Sequence, residues 1–186
     1  MPFGSLWLPV VASAIAVWLV SAIVHMVLKY HRADHGKLPD EDSVAQAIRK
    51  SSPAPGLYVF PYCSDMAQMK DPAMQKKYKE GPVGILTVLG NGMPSMGKYL
   101  LQWLGLCFLV SFVTAYVARH TLSVATDGLT VLQITGTIAF MAYGFGYIQD
   151  SIWKGIPWSN SLRGLLDALL YGVTTGLVFR LLWPGA

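Results

Sequence analysis

The sequence has little charge. Only 13% of its 186 residues are Asp, Glu, Lys or Arg, which is about half of the roughly 25% that is usual in soluble globular domains. Hydrophobic residues make up 53% of the chain, and its mean hydropathy is +0.44. This composition excludes a disordered segment, a coiled coil and a nucleic-acid-binding domain. It indicates that much of the chain lies in a lipid bilayer, which we therefore expect to be a binding partner.

Cysteines and catalytic motifs are also scarce. Cys63 and Cys107 are the only two cysteines, too few for a disulfide framework, and we expect both to be free thiols. The sequence has no glycine-rich phosphate loop, no GxSxG sequence and no paired catalytic carboxylates. We therefore expect no cofactor, and an enzyme ranks below non-catalytic functions.

Four apolar segments are long enough to cross a bilayer, which takes about 20 residues each. They cover residues 7–28, 99–118, 129–148 and 162–183. No basic residue precedes the first segment, as one would in a cleaved signal peptide, so we interpret it as a retained span. The predicted fold is an all-α membrane protein: residues 1–29 form the first transmembrane helix, 30–97 an insertion, and 98–186 the other three helices.

The basic residues predict the orientation. Ten of the 14 Lys and Arg residues lie between positions 29 and 98, and Lys154 and Arg163 flank the third connection. Because basic residues concentrate on the cytoplasmic side of a membrane, we expect the insertion to be cytoplasmic and both termini to be extracytoplasmic.

The insertion has patterns of ordered structure. Acidic residues at 40–42 and basic residues at 49–50 favour a short helix over 43–50. Asp71 and Pro72 open a second helix, which Gly81 closes. Residues 57–60 and 85–89 are typical of two short strands, so a β-hairpin-like unit is predicted. Its apolar residues are too few for an independent core, and we expect it to dock on the helices or on a partner.

Small residues recur at helical spacing in the last three spans, and these ladders include Ser111, Ala139, Gly146, Gly172 and Gly176. Small side chains let helix backbones approach closely in lipid. The ladders therefore predict helix packing within the bundle. The alternative is a seam between copies of the chain in a homo-oligomer.

Polar side chains cluster near the expected cytoplasmic ends of the spans: His25, Gln102, Asp150, Arg163, Asp167 and Tyr171. Ionisable groups in a span are costly and usually pair, so we expect Arg163, His25 or Tyr171 to be the partner of Asp167. A structural clamp is the favoured interpretation. A proton or ion path is the alternative, although apart from Arg180 no ionisable residue continues it outward.

Two groups of residues offer metal ligands. His31 and His35 have the HxxxH spacing that places both imidazoles on one face of an α-helix. Cys63, Met66 and Met69 are soft ligands of the kind that binds Cu(I). Each group supplies at most half a site, so we expect no stoichiometric copper or zinc.

Several stretches together resemble a widespread set of uncharacterised bacterial four-helix membrane proteins. They are GLYVFP at 56–61, GPVG at 81–84, MGK at 96–98, and the segment 151–167 that begins SIW. The resemblance covers most of the chain past Gly56. It implies a bacterial inner-membrane location, and it brings no activity, cofactor or functional residue.

Two functions from different classes follow from these features. The first is a non-enzymatic scaffold, either a homo-oligomer or an accessory subunit of a larger membrane complex, which the ladders favour. The second is a small ion or solute transporter or channel that uses the polar cluster, which the intramembrane ionisable residues favour.

Overall fold

The computed structural model describes residues 3–185, with Phe3 described by its backbone alone. The chain divides into two units, one formed by the residues up to His35 and from Ser95 onward, and the other by Gly36–Pro94. The secondary structure in chain order is α1 Trp7–Met26, α2 Glu41–Ser51, β1 Gly56–Phe60, α3 Pro72–Glu80, β2 Gly84–Val88, α4 Met96–Thr121, α5 Gly128–Lys154 and α6 Trp158–Leu181.

Four helices of the described chain are long and apolar enough to cross a membrane, namely α1, α4, α5 and α6. This confirms the four apolar helices predicted from the sequence. Helix α5 runs to Lys154, beyond its apolar core, because its ends are well capped. Asp127 accepts hydrogen bonds from the N–H groups of Leu129 and Thr130, and Gly155 ends the helix with φ of 67°.

Helices α5 and α6 form the closest pair in the helical unit, and α1 packs against α4 and α6. A Cβ atom on Gly172 would lie 2.8 Å from the carbonyl oxygen of Gly136, and one on Gly176 would lie 2.7 Å from that of Leu132. These two glycines therefore set the distance between the helices. Gly146 differs, since it is exposed and no atom lies within 4 Å of its Cβ position.

The interior of the bundle is apolar over two successive levels. One cluster of buried residues contains Leu6, Val10, Ala115, Ala118, Val131, Phe179 and Trp183. The next contains Ala14, Val17, Cys107, Val110, Ala139, Tyr143, Ala168 and Tyr171. The buried Ser13 and Ser111 hydroxyls lie 3.0 Å apart and join α1 to α4.

The Gly36–Pro94 unit contains a two-stranded antiparallel sheet, which confirms the predicted strands. Val59 of β1 lies opposite Ile85 of β2, and side-chain alternation puts Leu57 on the same face as these two residues. Asp71 caps α3 by accepting from the N–H of Ala73. All of residues 36–94 are described, and none of them is buried.

Candidate functional site

The site forms where the chain leaves α1. Leu28 is extended, with φ of −83° and ψ of 118°, so the α-helix ends and a 3₁₀ helix follows over Lys29–Asp34. This short helix packs on α6 and against the end of α1. As a result, the side chains of Tyr30 and His31 reach Asp167, which is more than 130 residues away in the chain.

Asp167 is the buried centre of the site, with 1% of its surface exposed. Its Oδ1 accepts a hydrogen bond from the Tyr30 hydroxyl. Its Oδ2 lies 2.8 Å from Nε2 of His31 and 3.7 Å from Nε2 of His25. Burying a carboxylate is costly unless it is paired and hydrogen-bonded, and these contacts meet that requirement.

His31 lies between two carboxylates. Its Nδ1 is 2.6 Å from Oδ2 of Asp34, while its Nε2 faces Asp167. A neutral imidazole donates through one nitrogen only, whereas an imidazolium donates through both. A neutral His31 therefore donates to only one of the two carboxylates.

Asp34 is held by a second layer of contacts. Nε of Arg163 donates to Oδ1 of Asp34 at 2.6 Å, and Nη2 of Arg163 donates to Oδ1 of Asn160 at 2.9 Å. Asn160 in turn donates through Nδ2 to the backbone oxygen of Asp34 at 2.9 Å. These closed contacts fix both the Asp34 carboxylate and the 3₁₀ helix against α6.

The environment perturbs the pKa values of the two groups on the 3₁₀ helix. Burial, followed by the hydrogen bond to Asp167, raises the pKa of the Tyr30 phenol above its usual value. Burial alone would raise the pKa of Asp34 too, but the hydrogen bonds from His31 and Arg163 outweigh it and hold that pKa below its usual value. At neutral pH Tyr30 is thus a donor and Asp34 an ionised acceptor.

His25 and Tyr171 form the inner limit of the site. The His25 ring packs against that of His31 with centroids 4.5 Å apart, and the Tyr171 hydroxyl is 3.4 Å from Nε2 of His25. The Tyr171 ring also contacts the rings of Trp103 and Tyr143. The polar site therefore ends at an aromatic layer, beyond which the apolar core begins.

A cavity of about 300 Å³ opens beside the cluster. His25, His31, Asp34, His35, Tyr147 and Asp150 are among the residues that line it. Asp150 is paired with Lys154 at 2.7 Å, and both side chains are well exposed. The cavity gives small solutes and ions access to His25 and His31, the two imidazoles that face Asp167.

The other residues that the sequence singled out belong to other parts of the fold. Gln102 is on an exposed face of α4. Cys63, Met66 and Met69 belong to the Gly36–Pro94 unit, where they line a separate cavity of about 450 Å³. The Cys63 thiol donates to the backbone oxygen of Asp65 at 3.0 Å, and both cysteines of the chain are free.

Sequence reasoning missed Tyr30 and Asn160, and it missed the pairing of Asp34. It offered Arg163, His25 or Tyr171 as the partner of Asp167. The structure places Nε2 of His25 3.7 Å from Oδ2 of Asp167 and pairs Arg163 with Asp34 instead. It also related His31 to His35 through α-helical spacing. In a 3₁₀ helix, residues three apart are aligned, so His31 meets Asp34 instead, and the His31–Asp34 spacing was the available signal.

Comparison of the chain with protein-family models, curated proteins and solved structures found no match. The resemblance to bacterial four-helix inner-membrane proteins stays a prediction. Chemically, the site combines two carboxylates, two imidazoles, one guanidinium and two phenols beside a small cavity. Such a set can clamp helices together, exchange protons or bind a cation.

Proposed function

We propose that the protein is a non-enzymatic scaffold of the membrane, and that its Gly36–Pro94 unit joins it to a second copy or to another membrane subunit. One observation carries the proposal. Leu57, Val59 and Ile85 share a face of the β1–β2 sheet and are 63%, 47% and 40% exposed. This apolar face belongs to a unit in which no residue from 36 to 94 is buried.

An apolar sheet face of this kind favours association. Removing apolar surface from water contributes about 25 cal/mol per Å². A two-stranded sheet is only marginally stable unless it packs on something else, and each of its strands also has a free edge that can pair with another chain. Binding a protein surface would therefore stabilise the sheet and satisfy the edge.

Several features support a membrane location. Helices α1, α4, α5 and α6 have the required length and hydropathy. Their outward side chains are large and apolar, as along α6, where Leu162, Leu166 and Leu169 are each more than half exposed. With the basic residues of 29–98 on the cytoplasmic side, both termini are extracytoplasmic. A bacterial inner membrane is the proposed location.

The polar cluster supports a structural function. Its carboxylates are engaged by Tyr30, His31 and Arg163. Past Tyr171 the buried residues of the described chain carry no charge: they are the apolar clusters described above and hydroxyl side chains such as Ser13, Thr114 and Thr175. The contacts therefore suit a clamp that fixes the 3₁₀ helix on α6 better than a route for ions.

Native mass spectrometry of the full chain, purified in mild detergent, tests the scaffold. We expect assemblies of two or more chains, or of the chain with another subunit. Val59→Lys places a charge on the apolar face and should dissociate them. Gln75→Lys adds the same charge on the exposed surface of α3 and should not. A wild-type chain that is only monomeric would contradict the proposal.

Transport is the second candidate, and the cavity beside Asp167 is the observation that favours it. A carboxylate and two imidazoles next to a cavity are typical of proton relays. Reconstitution into liposomes that contain a pH-sensitive dye separates the two functions. The scaffold predicts no flux above that of empty liposomes. Flux in the wild type that Asp167→Asn abolishes, with thermal stability unchanged, would favour transport.

A further inference from the structure

We propose that His25, His31 and Asp167 form a binding site for one divalent transition-metal ion of the Zn²⁺ type. One ligand atom from each of the three residues lies within 4.8 Å of the other two. Two imidazoles and one carboxylate are ligands that Zn²⁺ prefers, and imidazole disfavours Mg²⁺ and Ca²⁺. The site goes beyond the scaffold function and does not depend on it.

The distances between ligand atoms suit a single ion. Zn²⁺ binds His nitrogen and carboxylate oxygen at about 2.0–2.2 Å, which places neighbouring ligand atoms of a tetrahedral site roughly 3.3 Å apart. Oδ2 of Asp167 is 2.8 Å from Nε2 of His31 and 3.7 Å from Nε2 of His25. These two distances lie on either side of the required value, so small side-chain rotations are enough to admit the ion.

The hydrogen bonds of Asp167 and His31 orient their ligand atoms, whereas Nε2 of His25 exchanges its 3.4 Å contact with the Tyr171 hydroxyl for the ion. Tyr30 donates to Oδ1 of Asp167, which leaves Oδ2 facing both imidazoles. Nδ1 of His31 donates to Oδ2 of Asp34, which leaves the lone pair of Nε2 free to bind the ion. A carboxylate behind a histidine ligand is the usual outer contact of a zinc site. Arg163 donates to that carboxylate, and Asn160 accepts from Arg163 and donates to the backbone oxygen of Asp34.

The charges of the cluster also favour a cation. Asp34 and Asp167 are two carboxylates, and Arg163 is the guanidinium that pairs with one of them. With both histidines neutral, as metal ligands must be, the cluster keeps one negative charge beside a buried oxygen of Asp167. A divalent ion more than offsets this negative charge and leaves a net positive charge, which a hydroxide or small anion in the open coordination position can balance.

The three ligands leave a further coordination position toward the cavity. His25 and His31 line that cavity of about 300 Å³, so water or a small anion has room to complete the coordination. The His25 side chain is 52% exposed, which gives the ion an entry path. Three protein ligands and one open position distinguish this arrangement from a closed four-ligand structural site.

This proposal differs from the expectation of no stoichiometric metal, which rested on treating each of the two candidate ligand groups as at most half a site. That expectation counted His31 and His35 as half of a site. The structure supplies two different companions for His31, His25 from the end of α1 and Asp167 from the middle of α6. His35 lies at the exposed rim of the cavity and is not one of the three.

Zn²⁺ titration of the full chain tests the site. The protein is purified in detergent, stripped with a chelator and studied by calorimetry and elemental analysis. We expect about one zinc per chain. His31→Ala and Asp167→Asn should each weaken binding by more than about 100-fold, since loss of an outer contact alone costs about 10–100-fold. His120→Ala, on an exposed position of α4 outside the cavity lining, should leave binding unchanged.

Two further measurements check that a loss of binding in the variants does not come from misfolding. X-ray absorption of the zinc-loaded wild type should show two imidazoles and oxygen ligands. Asp34→Asn should keep the stoichiometry and weaken binding by about 10–100-fold. The proposal is overturned if the wild type binds no stoichiometric zinc, if Mg²⁺ binds equally well, or if His35→Ala abolishes binding while His31→Ala retains it.

Discussion

The helical unit and the Gly36–Pro94 unit use their apolar residues in opposite ways. In the helical unit, residues such as Val17, Ala139 and Phe179 are fully buried. In the Gly36–Pro94 unit, every residue is described and none is buried. The helical unit therefore has an interior of its own, whereas the apolar side chains of the other unit's sheet stay exposed or half-buried.

The two units differ in burial because they are held together by different kinds of contact. The helices approach closely at Gly172 and Gly176, and the Ser13 and Ser111 hydroxyls meet between α1 and α4. The Gly36–Pro94 unit has caps and strand pairing but no comparable close packing. Substitutions should therefore cost much more stability in the helical unit.

The largest effect is expected at Asp167. Asp167→Leu removes the acceptor of Tyr30 and His31 and should lower the free energy of unfolding by about 3 kcal/mol, because breaking a buried network leaves its partners unsatisfied. Asp167→Asn should cost less than about 1 kcal/mol, since its amide oxygen still accepts from Tyr30 and its N–H can donate to His31. Thermal unfolding in detergent measures both. Equal losses would contradict a hydrogen-bonded clamp.

The next largest effect is expected at the α5–α6 contact. Gly176→Ala forces a methyl group against the Leu132 carbonyl and should cost about 2 kcal/mol, as overpacking does. Gly146→Ala is the matched control, because its position is open. It should be neutral or stabilising by up to about 1 kcal/mol through higher helix propensity. Similar melting temperatures for the two variants would show that Gly176 does not set the helix spacing.

The ladders show what the sequence can and cannot predict. Hydropathy located all four apolar helices, because burying about 20 consecutive apolar residues leaves little choice of structure. Spacing alone placed Gly146 with Gly172 and Gly176, but which turn of α5 meets α6 depends on the crossing of the helices. That crossing is a tertiary property, and no local pattern encodes it.

The polar cluster was also predictable only in part, because its contacts depend on the tertiary structure. The depth of Asp167 in its apolar segment indicated that it needs a partner. Tyr30 and His31 reach it only because the chain turns back at Leu28 and forms a 3₁₀ helix. The pairing of residues more than 130 positions apart left no periodic signal in the sequence.

A smaller difference in stability is expected between breaking an ion pair of the helical unit and breaking an ion pair of the Gly36–Pro94 unit. Arg163 and Asp34 are mostly buried and lie 2.6 Å apart, so Arg163→Ala should cost about 1.5 kcal/mol and loosen the 3₁₀ helix. Lys76 and Glu80 of α3 are exposed and 3.7 Å apart, so Lys76→Ala should cost less than about 0.5 kcal/mol. Thermal unfolding together with hydrogen exchange of residues 29–34 measures both. Faster exchange there in Lys76→Ala alone would contradict this account.

The two native cysteines provide the most direct test of the central claim, that apolar helices span the membrane while the Gly36–Pro94 unit lies in the cytoplasm. Cys107 is buried in α4, and Cys63 lies in the other unit. An impermeant maleimide is applied to cells before and after the inner membrane is permeabilised, with Cys63→Ser as the control. We predict that Cys63 is labelled only after permeabilisation, that Cys107 is labelled in neither case, and that a cysteine placed at residue 2 is labelled before it. Labelling of Cys63 in cells with an intact inner membrane would contradict the account.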